Sequence, residues 1–70
     1  MKNNLPKKVE ISSLDLTTSR IFDAEDFVSE FNLNESLLNS SKEGDMVCYV
    51  GEKNLLDYGE SYKISKLYGK

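Results

Sequence analysis

The fold of this chain is decided by the stretch GDMVCYVGEKNLLDYGESYKIS, residues 44–65, which includes the only run of five consecutive apolar residues. That run, MVCYV at residues 46–50, is rich in strand-forming residues, lies between glycines and is too short for an isolated helix. We therefore expect it to form the central strand of a sheet, with Cys48 as a buried thiol.

A second strand is predicted downstream, in SYKISKL at residues 61–67. Tyr62 and Ile64 alternate there with Lys63 and Ser65, which is typical of a strand that is half exposed.

Upstream, residues 9–12 also alternate between apolar and polar and predict a strand. Leu14 and Leu16 resume the alternation on the opposite parity, so we expect a bulge or bend near Ser12 and Ser13. Residues 17–20 are expected to be a connection.

The next segment carries two helix starts. Asp23 is placed as an N-cap, with Phe22 and Phe27 at the spacing of a hydrophobic staple. Asn34 is a second candidate cap. Asparagine is unfavourable inside a helix, so two short helices that meet at a corner near Asn32 are predicted rather than one long helix.

These elements predict an α+β fold, with a small antiparallel sheet of three to four strands and two short helices on one face. The expected order along the chain is β-α-α-β-β. Residues 1–8 are basic and aperiodic and are expected to be a flexible leader, and residues 9–70 a single domain.

Composition excludes several classes of site. The chain has 70 residues, one cysteine and no histidine, so it has no intrachain disulfide and lacks the ligands of common zinc sites. The sequence contains no recognisable set of catalytic residues, so we expect no cofactor, no metal and no enzymatic activity.

No stretch approaches the ~20 apolar residues that span a bilayer, and the start lacks the apolar segment of a signal peptide. A cytoplasmic location is therefore expected.

Charge is distributed unevenly along the chain. The net charge is −3, but residues 21–45 hold seven acids and one base. An exposed acidic surface can occupy the basic groove of another protein as phosphates would. We therefore expect binding to a larger protein, with a nucleic-acid-binding enzyme as one candidate, and direct nucleic-acid binding is disfavoured. The predicted contact residues are Asp23, Glu25, Asp26, Glu30, Glu35 and Tyr58.

Tyr58 lies in the segment EKNLLDYGE, residues 52–60, which is longer than the ~2–5 residues of an ordinary hairpin connection. Leu55, Leu56 and Tyr58 must either fold back onto the core or be offered to a partner.

Two alternatives belong to other classes. Lysines and tyrosines in the last third of the chain could stack nucleobases and contact phosphates, as in a nucleic-acid-associated β-barrel or winged-helix module. The residues of this alternative are Lys53, Tyr58, Lys63, Lys66 and Tyr68. The other alternative is a homodimer that pairs exposed strand edges.

A pattern in residues 44–65 resembles the hairpins of small β-barrels of the KOW and Tudor type. The matching positions are Gly44, Asp45, Val47, Val50, Gly51, Leu56, Gly59, Tyr62 and Ile64. The resemblance implies a module that binds protein or nucleic acid rather than an enzyme. In its size and its Asn-, Ser- and Lys-rich composition the chain is similar to small accessory or inhibitor proteins of phages and mobile elements.

Overall fold

The computed structural model describes residues 5–69. Six elements follow one another along the chain: β1 (Lys8–Ser13), β2 (Ser19–Asp23), α1 (Ala24–Glu30), α2 (Glu35–Ser40), β3 (Met46–Cys48) and β4 (Ser61–Tyr68). The four strands form one antiparallel sheet in the order β2-β1-β4-β3. The predicted fold class is confirmed. The sheet is open, with β2 and β3 as its edges.

The core lies between one face of this sheet and the two helices. Alternation along the central strands directs Val9 and Ile11 of β1, and Tyr62 and Ile64 of β4, inward. Both helices contribute to the same core. Its buried hydrophobic residues are Val9, Ile11, Phe22, Phe27, Phe31, Leu38, Tyr49, Tyr62 and Ile64.

Strand β2 was not predicted, because Ser19 and Arg20 were expected in a connection and Asp23 only as a helix cap. In the structure Val9 pairs with Phe22 and Lys8 with Asp23, and α1 begins directly afterwards. Phe22 is the only buried residue of β2. Its two apolar residues, Ile21 and Phe22, are adjacent and give no alternation. The strand therefore depends on hydrogen bonds to β1, which local sequence does not reveal. The observed order is β-β-α-α-β-β.

The apolar run at residues 46–50 is not the central strand. Only Met46–Cys48 is a strand, and it lies at the sheet edge. Its side chains alternate, since Val47 packs against the core while Met46 and Cys48 are exposed. Cys48 is therefore not the buried thiol that we expected.

Two further details bear on the bulge or bend expected near Ser12 and Ser13, where the chain bends after Ser13. The bulge lies in β4, where Ser65 is the extra residue between the Glu10–Lys66 and Ile11–Ile64 pairs, and its hydroxyl donates to the Glu10 carbonyl at 3.1 Å. Leu14 and Leu16 stand exposed in the β1–β2 turn instead of continuing the strand.

The folded domain begins before residue 9, within the segment that was predicted to be a flexible leader. Pro6 is buried, the Lys7 amide donates to the Tyr68 carbonyl at 2.7 Å, and β1 already begins at Lys8. The part of the leader prediction that concerns residues 1–4 lies outside the described residues.

The helices follow the sequence closely. Asn34 accepts a hydrogen bond from the Leu37 amide at 2.8 Å, as an N-cap should. Asn32 turns the corner with a φ of 54°, a left-handed conformation that asparagine tolerates better than most residues. The predicted corner is confirmed.

Candidate protein-binding site

Three of the predicted contact residues gather at the start of α1. Asp23, Glu25 and Asp26 line a shallow recess of about 370 Å³ with Lys7. The recess forms because the Ala24 amide donates to the Lys7 carbonyl at 3.0 Å, which fixes the helix start against the entry to β1. The side chains of Asp23 and Glu25 are exposed, and that of Asp26 is half-buried.

Lysines partly balance this charge. Lys8 Nζ lies 2.6 Å from Asp23 Oδ1, and Lys53 Nζ lies 3.6 Å from Asp26 Oδ1. Both pairs are more than half exposed, and exposed pairs contribute only ~0–1 kcal/mol. A partner's cations can therefore displace either lysine at small cost.

Two of the predicted contact acids, Glu25 and Glu35, are exposed and make no ion pair with any described residue. Glu25 lies in the first turn of α1, and Glu35 in the first turn of α2. Carboxylates are favourable at helix N-termini, so folding tolerates them there. We refer to Asp23, Glu25, Asp26 and Glu35 as the acidic helical surface.

Glu30 does not belong to this surface, contrary to the prediction. It is only 3% exposed, and its Oε1 accepts a hydrogen bond from the Tyr49 hydroxyl. Its carbonyl also accepts from the Val50 amide at 3.1 Å. A buried carboxylate needs such partners, so Glu30 joins α1 to the segment after β3 and offers nothing to a partner. Burial, followed by the hydrogen bond to Glu30, raises the pKa of Tyr49.

Tyr58 is exposed as predicted, with 71% of its surface accessible. The loop that carries Tyr58 is fixed by hydrogen bonds to the hydroxyls of two buried tyrosines. The Leu55 amide donates to the Tyr49 hydroxyl at 3.1 Å and the Asp57 amide to the Tyr62 hydroxyl at 3.0 Å. The sequence left open whether Leu55, Leu56 and Tyr58 fold back onto the core or face a partner. Leu55 and Leu56 pack against the core, whereas Tyr58 faces solvent.

Sequence reasoning missed the two tyrosine hydroxyls that hold this loop. A usable signal existed, because a buried tyrosine usually finds a partner for its hydroxyl. The long polar segment after β3 offers backbone amides for that purpose.

The lysines and tyrosines of the nucleic-acid alternative do not form one surface. Lys53 contacts α1 through Asp26, whereas Lys63, Lys66 and Tyr68 lie on the sheet face opposite the helices. Lys8, which the sequence did not suggest, shares that outer face. So does Glu10, which accepts a hydrogen bond from the Tyr68 hydroxyl at 2.7 Å. This bond raises the pKa of Tyr68.

Within residues 5–69, no three His, Cys, Asp or Glu side chains are grouped so that they could hold a metal ion. No helix in that part of the chain has the length and apolar character needed to cross a membrane. Comparisons with protein-family models, curated proteins and solved structures found no match.

Proposed function

We propose that this chain is a non-enzymatic cytoplasmic protein that binds a larger protein and modulates or inhibits it through the acidic helical surface. The observation that carries the proposal is the exposure, without ion pairs, of Glu25 beside Asp23 and Asp26, and of Glu35 at the start of α2. The ion pairs of Asp23 and Asp26 are weak and exposed. Tyr58 contributes a separate exposed aromatic contact.

The partner's chemistry follows from this charge. Carboxylates held on helices attract a positively charged surface, raise the association rate and can occupy a groove that otherwise takes phosphates. A nucleic-acid-binding enzyme with such a groove fits best. The similarity in size and composition to phage and mobile-element inhibitors supports the same class of partner.

Affinity capture with charge-reversed variants tests the proposal. The protein carrying Glu25→Lys and Glu35→Lys keeps both ion pairs, and the control carrying Glu43→Lys and Glu52→Lys makes the same change in charge at exposed acids elsewhere. We expect the bound protein, identified by mass spectrometry, to be lost from the first variant and kept by the second. Equal capture by both, or equal loss, contradicts the proposal.

Nucleic-acid binding is a second candidate because the strand register places Lys8, Lys63 and Lys66 on one open sheet face. The same face carries Glu10 and Asp23, so its positive excess is small. A salt titration with labelled random single-stranded DNA and RNA separates the two functions. Binding at ~0.15 M salt that weakens steeply as salt rises would favour this candidate.

A further inference from the structure

A groove of about 750 Å³ lies between the β1–β2 turn and the loop before β4. Its apolar lining comes from Leu14 on one side and from Leu55, Leu56 and Tyr62 on the other. It lies at the Ser13 end of β1, about 17 Å along the strand from Lys8, whose partner in β2 is Asp23. The groove and the recess with Asp23, Glu25 and Asp26 therefore lie at opposite ends of β1.

All the charged side chains that line the groove are acidic. Its lining includes the carboxylates of Asp15, Asp57 and Glu60 and no lysine or arginine. Asp15 already accepts hydrogen bonds from Ser13 Oγ and Thr17 Oγ1, both at 2.7 Å. Among the described residues, the carboxylates of Asp57 and Glu60 make neither a hydrogen bond nor an ion pair and stand exposed. Both are available to a cationic ligand.

The walls of the groove are fixed before any ligand arrives. In the loop, the Gly59 amide donates to the Tyr49 carbonyl at 2.7 Å and the Glu60 amide to the Asp57 carbonyl at 3.2 Å. In the turn, the Ser13 amide donates to the Thr18 carbonyl at 2.8 Å. A preorganised groove avoids part of the entropy that binding otherwise costs.

Leu14 is 58% exposed on the groove wall. Tyr58, which lies in sequence between the lining residues Asp57 and Gly59, is 71% exposed. Scattered exposed apolar residues are ordinary, but Leu14 lines a concave site with charges of one sign. Tyrosine is also enriched among the residues that dominate interface energies.

We infer that this groove binds a short cationic peptide segment of the partner protein, with arginine or lysine side chains on either side of an apolar one. The carboxylates of Asp57 and Glu60 would accept the cationic donors, as carboxylates do in bidentate pairs with arginine. The apolar side chain would lie between Leu14 and Leu55. The inference rests on the proposed function for the existence of a protein partner and adds a second contact surface to it.

The test is a titration followed by ¹H–¹⁵N NMR, with an acetylated, amidated peptide of two arginines around one leucine as the probe. We expect saturable shifts at the Leu55, Gly59 and Ser61 amides, with a Kd of the order of 1 mM or tighter. The variant with Asp57→Lys and Glu60→Lys should weaken binding about tenfold or more, since the charged hydrogen bonds to the arginines are lost. The variant with Glu43→Lys and Glu52→Lys should bind as the wild type does.

Shifts that do not saturate, or that survive reversal of the groove acids, overturn the inference. So do shifts confined to Glu25, Asp26 and their neighbours. If the reversed variant loses its dispersed spectrum, the neutral pair Asp57→Asn and Glu60→Gln replaces it, with the same expected loss.

These outcomes are distinct from failure of the proposed function. The peptide titration reports on the groove alone, whereas capture by the Glu25→Lys and Glu35→Lys variant reports on the acidic helical surface. Groove binding together with equal capture by both charge-reversed variants would remove the proposed function and leave the groove. Loss of capture from the Glu25→Lys and Glu35→Lys variant alone, without groove binding, would leave the proposed function and remove the groove.

Discussion

At the level of single residues, the close approach of Gly51 to the buried Glu30 carboxylate joins the loop to α1. A Cβ atom at position 51 would overlap Glu30 Oε1 and lie 2.9 Å from the Tyr49 hydroxyl oxygen. Gly51→Ala must therefore displace buried groups. We expect a loss of about 2–3 kcal/mol in the free energy of unfolding, measured by urea denaturation, because overpacking of this kind costs ~1–3 kcal/mol.

The same change in a Glu30→Ala background supplies the control. Removing the carboxylate vacates the space beside Gly51, so the second substitution should cost clearly less there than in the wild type. Such non-additivity is the sign of direct contact. Equal costs in both backgrounds would show that Gly51 does not lie against Glu30.

Asp15 gives a prediction about pH. Hydrogen bonds from the Ser13 hydroxyl, and then from the Thr17 hydroxyl and amide, lower the pKa of Asp15 from 3.8 to about 2. Because the folded-state pKa is depressed, the stabilisation is present above the ordinary value and is lost as the pH falls through about 2. The Asp15 carboxyl carbon should titrate near pH 2 by NMR in the folded protein, and Asp15→Asn should reduce the acid dependence of stability. A midpoint near 3.8 would contradict the hydrogen bonds of the turn.

The sequence alone did not distinguish which of these polar residues are buried and which are exposed. Glu25 and Glu30 are both acids on one short helix, yet Glu25 is exposed and Glu30 is buried. The difference arises because the Tyr49 hydroxyl donates a hydrogen bond to the Glu30 carboxylate. Cys48 lies in an apolar run and is nevertheless exposed. Both outcomes depend on which face of an element meets the sheet, and a neighbour distant in sequence decides that.

At the level of elements, the two predicted helix caps differ. Asn34 makes the capping hydrogen bond, whereas the Asp23 side chain makes no capping bond and instead pairs with Lys8. Asn34→Ala should therefore reduce the free energy of unfolding by about 1 kcal/mol. Asp23→Ala should cost less, about 0.5 kcal/mol, as expected for an exposed ion pair. Denaturant unfolding of both variants gives the comparison, and a larger loss for Asp23→Ala would reverse the assignment.

Elements with their own local signals could be predicted. The helix pair and its corner followed from Asn32 and Asn34, and β4 followed from the alternation around Tyr62 and Ile64. Strand β2 could not be predicted, because its stability comes from pairing with β1 and from one buried residue, Phe22. The place of β3 at the edge was equally hidden, since strand order is a property of the whole sheet.

At the level of the whole molecule, charge is separated between surfaces. Asp23, Glu25 and Asp26 lie at one end of β1, and the groove with Asp57 and Glu60 lies at the other. Most of the lysines of the alternative interface lie on the outer sheet face. The sequence predicted an acidic partner surface as one contiguous segment. Folding instead removes Glu30 from it and assembles a second acidic site from the turn and the loop, two segments about 40 residues apart.

Photo-crosslinking in cells of the source organism tests the central claim most directly. A benzophenone amino acid replaces Ser29, which is exposed on α1 one helical turn beyond Glu25, and a matched probe replaces Lys63 on the outer sheet face. We predict a discrete protein adduct from position 29 that disappears when Glu25→Lys and Glu35→Lys are added, and no comparable adduct from position 63. An adduct only from position 63, or one from position 29 that persists after both charges are reversed, would contradict the account.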